Sequence, residues 1–112
     1  MNAHEYEAVR HILTSPALET RTAPYIEAGG YDWAGLLAET ETMSGGQRAL
    51  VRLAHDLWTA EPLAGVWEIP KRLDSGNFER VIEALYIYRG DEIAERNLRF
   101  PSAGLPPLWR AA

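Results

Sequence analysis

There is no cysteine in these 112 residues. Disulfides and thiolate metal sites are excluded, and the redox compartment cannot be inferred from cysteine usage. Lysine is nearly as scarce: Lys71 is the single one, so arginine supplies almost all the positive charge. No apolar run approaches the roughly 20 residues that span a bilayer. The opening stretch, MNAHEYEAVRHIL, contains acidic side chains and no basic region leading into an apolar one, so it does not read as a signal peptide. These absences lead to the expectation of a cytoplasmic protein that does not engage a membrane. A net charge of −5 also opposes non-specific binding to nucleic acid, which depends mainly on neutralising phosphates. The sign is a bias, compatible with a local basic face.

What the chain does have is apolar mass. With 46% apolar residues and four tryptophans it can build a core without staples, and a chain of this length is one domain that buries about two-thirds of its unfolded surface.

The most legible stretch is SGGQRALVRLAHDLW, residues 44–58. Ser44 and Gln47 form an S-x-x-Q capping box, and Leu50, Leu53, Ala54, Leu57 and Trp58 repeat at helical spacing. Gln47, Arg48, Arg52 and Asp56 fall largely on other faces. With amphipathic segments on either side, this helix is expected to be the central element, ending near Ala60 because Glu61 precedes Pro62.

Upstream, Asn2 and Glu5 mark a helix start, and Ala3, Tyr6, Val9, Ile12 and Leu13 give one apolar face to a helix over 3–14 that Ser15-Pro16 ends. Residues 15–30 read as a connection broken by Pro16, Pro24 and Gly29-Gly30, with room for a helical turn at 23–28. Asp32 is placed to cap a short helix over 33–39 that turns Trp33, Leu36 and Leu37 inward. Residues 62–73 admit either a short extended piece through Val66, Trp67 and Ile69 or a helical turn in WEIPKRL; irregular or short-helical structure is favoured. Asp74-Ser75 opens the last strong helix, with Phe78, Val81, Ile82, Leu85 and Tyr88 in period and Arg89-Gly90 as its finish. Residues 92–99 suit one more turn or an extended edge. The tail FPSAGLPPLWRAA is too rich in Pro and Gly for a helix, yet Phe100, Leu105, Leu108 and Trp109 are costly to leave in water.

Several motifs resemble catalytic signatures. MSGGQR, residues 43–48, resembles the signature loop of ABC-type ATPases, where SGGQ presents a serine and backbone amides to a nucleotide γ-phosphate. Such an ATPase also needs a G-x-x-x-x-G-K-[ST] loop, and Lys71 sits in I-P-K-R with no glycine loop before it. The capping box accounts for the same residues. His4, Glu7 and His11 offer a half-site for zinc, but HEYEA has Ala8 where H-E-x-x-H needs its second histidine. His55-Asp56 is similar to the HD pair of metal phosphohydrolases, whose further histidine and aspartate ligands are hard to find among three histidines. Ser44, Ser75 and Ser102 lie in no G-x-S-x-G elbow. The expectation is of no enzyme, no cofactor and no metal.

Two surface readings remain. Arg48, Arg52, Arg72 and Arg80 would form an anion-binding or DNA-reading face if the helices over 44–58 and 75–89 packed together, although ordinary surface ion pairs are favoured. The aromatic set points to protein contacts. Tyr86, Ile87 and Tyr88 are consecutive and cannot all be buried on one face, and Trp67 and Trp109 sit in irregular segments. Trp109 either plugs this chain's own core or joins a partner or dimer interface.

The stretches SGGQRALVRLAHDLW and DSGNFERVIEALYIYRG together resemble small uncharacterised helical proteins of actinobacteria and their phages, a source that the arginine, alanine and tryptophan bias also suggests. The resemblance spans residues 44–90 and implies a helical fold with no activity attached. The expected architecture is an all-α, single-domain bundle of about four helices over 1–99 with an extended Pro-rich arm over 100–112. The expected function is a non-catalytic protein–protein interaction module, such as a phage or accessory factor that modulates a host protein. It would bind a protein partner or a second copy through Trp67, Tyr86, Tyr88 and Trp109. The alternative is a small DNA-binding or regulatory protein using the Arg48 and Arg52 face.

Overall fold

A computed structural model describes residues 3–90. Within them lie six α-helices: α1 Ala3–Leu13, α2 Glu19–Thr22, α3 Trp33–Glu39, α4 Gly45–Thr59, α5 Glu68–Arg72 and α6 Ser75–Arg89. Two antiparallel strands, β1 Ile26–Glu27 and β2 Gly30–Tyr31, pair Ile26 with Tyr31 and Glu27 with Gly30. The chain is thus mainly helical rather than all-α. Residues 100–112, expected to form an arm, lie outside the described residues.

Three of the four expected helix starts carry their caps, and the fourth, Asn2, lies outside the described residues. Asp32 accepts from the Gly35 amide at 3.1 Å and Asp74 from the Asn77 amide at 2.8 Å. Ser44 Oγ accepts from the Gln47 amide at 3.2 Å while Gln47 Oε1 accepts from the Ser44 amide at 3.0 Å, completing the capping box. Helix α4 ends in a left-handed Ala60, and α6 in Gly90 at φ 76°.

The central element is α1, not α4. Helix α1 packs most extensively on α6 and next on α4, whereas α4 and α6 meet little. The reason is its two-sided apolar surface: Ala8, Val9, Ile12 and Leu13 are all fully buried. Leu50, Val51 and Ala54 of α4 and Val81 and Ala84 of α6 join them, and Leu18, Leu36, Met43 and Tyr31 complete the core. Each large aliphatic side chain buried this way contributes about 1.5–3 kcal/mol. Helix α6 departs from its expected facing, since Phe78 and Leu85 stay 39% exposed.

The segment 15–30, expected to be a connection with room for a helical turn, is ordered by local hydrogen bonds. Ser15 and Thr22 are buried, with their hydroxyls donating to Ile12 O at 2.7 Å and Leu13 O at 2.6 Å. Thr22 thereby folds α2 back over the end of α1, and the fully buried Leu18 anchors the corner. A 3-10 turn, Ala23–Tyr25, then leads into the hairpin. The hairpin is tied to α1: Tyr6 Oη donates to Glu27 O at 2.7 Å and Tyr31 Oη to Tyr6 O at 2.8 Å.

Candidate interaction surface

The most exposed large apolar side chains of the described residues follow the end of α4. Val66 is 80% exposed, Trp67 52% and Leu63 48%. They stand on a loop that the backbone holds in place. Asp56, on the last turns of α4, accepts from the Leu63 amide at 2.7 Å with one carboxylate oxygen and from the Ala64 amide at 2.9 Å with the other. Thr59 Oγ1 accepts from the Glu61 amide at 3.1 Å, and the Glu68 amide donates to Gly65 O at 3.0 Å, which starts α5.

Trp67 itself is positioned by three groups. Its indole folds over Gly65, where a Cβ atom would collide with Nε1, so this pose needs a glycine. Lys71 Nζ lies 5.8 Å and Arg72 Cζ 5.7 Å from the ring centroid, cation–π contacts on a ring that keeps half its surface in solvent. The loop's apolar display thus carries two cations at its edge, although the whole chain is acidic.

Arg72 also lies close against both glycines of SGGQ. A Cβ on Gly46 would lie 3.1 Å from the Arg72 carbonyl oxygen, and one on Gly45 3.3 Å from its guanidinium. Gln47 Nε2 donates to Ala17 O at 2.8 Å. Cap, close approach and cross-link give each conspicuous residue of that motif a structural task.

The other residues singled out in the sequence do not join Trp67 in one site. Arg48 donates to Thr40 O at 3.1 Å and Met43 O at 3.3 Å, tying α4 to the preceding 3-10 turn, Thr40–Thr42. Arg80 reaches the end of α1, donating to His11 O at 2.6 Å and Thr14 Oγ1 at 3.2 Å. Burial pulls its pKa down, opposed by Glu83 and Glu19. Arg52 is half-buried and makes no hydrogen bond or ion pair among the described residues. The single arginine face across the helices 44–58 and 75–89 is therefore not formed: those helices both flank α1, and Arg48 and Arg80 bond separate backbone carbonyls.

Tyr88 packs against the core, with the Glu5 carboxylate near its hydroxyl. Burial first, and then Glu5, raise its pKa above the ordinary value. Tyr86 is half-buried. Trp109 lies outside the described residues.

His11 Nε2 meets Glu83 Oε1 at 3.0 Å, joining α1 to α6, whereas His4 and Glu7 are exposed. His55 is buried beneath Trp33, with ring centroids 5.3 Å apart at 88°. Among the described residues no three His, Cys, Asp or Glu side chains gather as a metal site would require, and no helix is long and apolar enough to cross a membrane.

An aromatic layer escaped sequence reasoning. Tyr6 stacks on Tyr31 at 5.1 Å, Trp58 meets Tyr31 edge-on at 5.0 Å, and Trp33 lies 5.5 Å from Tyr31. These rings come from α1, β2, α4 and α3, so no single periodicity reveals them. Burial, followed by Tyr6 and Glu7, pushes the Tyr31 phenol well above its ordinary pKa of 10.0.

No protein-family model, curated protein or solved structure matches the chain.

Proposed function

We propose that the chain is a non-catalytic protein-binding module whose anchor is Trp67, flanked by Leu63 and Val66 and edged by Lys71 and Arg72. The observation that carries this reading is a half-exposed tryptophan on a loop already ordered by Asp56 and Gly65. Trp and Arg dominate binding energy at protein interfaces, and an ordered loop loses little conformational entropy on docking. The cations beside the indole favour a partner segment that pairs apolar side chains with carboxylates. We further propose that the module is cytoplasmic and serves as a phage or accessory factor acting on a host protein.

Nucleic-acid binding through Arg48 and Arg52 is the weaker alternative. Arg48 would have to give up its bonds to Thr40 O and Met43 O to reach a phosphate.

The test is affinity capture from source-cell lysate with wild type, Trp67→Ala and Arg52→Ala, each checked for an unchanged melting temperature. One stoichiometric protein retained by wild type and Arg52→Ala, and lost at least about tenfold with Trp67→Ala, is the expected result. Equal capture by all three, or retention only of nucleic acid, would overturn the proposal.

A further inference from the structure

Helix α6 carries two apolar lines where its packing uses one. Val81 and Ala84 are buried and Tyr88 packs on the core. About 100° round the helix, Phe78, Ile82 and Leu85 follow one another at i, i+4 and i+7. Phe78 and Leu85 are each 39% exposed, and none of the three packs against the core. An apolar line of this kind on a helix marks a surface that something covers.

We infer that the covering is this chain's own residues 91–112, seated along the Phe78–Ile82–Leu85 line. Helix α6 ends at Gly90 in the left-handed conformation, φ 76°, a cap that redirects the chain off the helix axis. Twenty-two residues follow, and they bring Ile93, Leu98, Phe100, Leu105, Leu108 and Trp109. Phe78 lies twelve residues before Gly90, about 18 Å at the helical rise. An extended chain at about 3.3 Å per residue covers that in roughly six residues, so the segment is long enough to run the whole line. Pro101, Pro106 and Pro107 each fix one backbone angle, which lowers the entropy lost on docking. Its charges balance: Asp91, Glu92 and Glu95 against Arg96, Arg99 and Arg110.

Two physical comparisons favour the chain's own segment over another occupant. A tether this short holds it at an effective concentration on the order of millimolar, which a free partner rarely reaches. Three partly exposed side chains also fall far short of the roughly 800 Å² per partner that a stable dimer buries.

The natural lack of cysteine makes the test clean. In the full chain, Phe78→Cys and Gly76→Cys are each combined with Ala103→Cys or Ala111→Cys. Gly76 is exposed and only one helical half-turn farther from Gly90 along α6 than Phe78, but faces well away from the apolar line. Disulfide formation within one chain is expected to be at least about tenfold faster from position 78 than from position 76 in one pairing or the other. Equal rates from the two positions would overturn the inference, as would a product linking two chains, which would give the line to a second copy. A full-chain cycle reads the same contact without cysteine: Leu85→Ser against the combined Leu105→Ser, Leu108→Ser and Trp109→Ser. Falls in melting temperature that do not add in the combined variant are expected, and strictly additive falls would contradict the docking.

Discussion

Asp56 is the residue on which the Trp67 loop depends most directly, since its two carboxylate oxygens each hold a backbone amide. Asp56→Ala is expected to cost about 1–3 kcal/mol, the usual loss when hydrogen bonds to a charged group disappear, and to speed amide exchange at Leu63 and Ala64. Asp56→Asn keeps one acceptor and should fall between. Urea titration with hydrogen exchange reads both effects, and unchanged exchange in Asp56→Ala would show that the loop is held by other means. At the same scale, Tyr31 supplies a pH dependence. Its folded-state pKa is raised, so the folded protein keeps a proton that the unfolded chain releases near pH 10. The stability this contributes is fully present below pH 10 and is lost as pH rises further. Tyr31→Phe loses the bond to Tyr6 O and starts lower, yet its stability should decline less steeply between pH 9 and 11. Parallel declines in urea midpoint would contradict that assignment. Residue-level chemistry was partly legible in the sequence: cap residues announced themselves, whereas burial of His55 did not, because Trp33 reaches it only through the tertiary fold.

Among the elements, the long helices were readable because capping and period are local. Asp32, Ser44 and Asp74 each do what their spacing indicates. Ser44→Ala should cost about 1 kcal/mol, since it leaves the Gln47 amide without its acceptor. Denaturant melts check this, and no measurable loss would mean that the Gln47 bond to Ala17 O holds the helix start alone. The hairpin and α2 were not readable. Two-residue strands show no alternation, and what fixes them are distant partners such as Tyr6 with Glu27 O and Thr22 with Leu13 O. Helix α6 was correctly placed but assigned one apolar face too broadly, because periodicity identifies apolar positions without saying which of two adjacent lines meets a neighbour.

For the whole molecule, the consequence of a central α1 is that α4 and α6 lie on separate flanks, each with its own exposed apolar display. The sequence pointed to α4 as centre because its cap and stripe are the clearest, yet Ala8, outside the apolar face that the period marks, is also fully buried and gives α1 the second buried side that a central helix needs. Of the candidate surface, Trp67 was legible as an aromatic in an irregular segment; its companions Leu63, Lys71 and Arg72 required the folded loop. Docking of this loop on a protein partner, as proposed, is open to direct test. The most direct measurement places a photo-crosslinking amino acid at Val66, and separately at the exposed Glu41, in the full chain expressed in its source cells. One discrete heavier adduct from position 66, absent from position 41, is the predicted result. No adduct from position 66, or the same set of adducts from both positions, would contradict it.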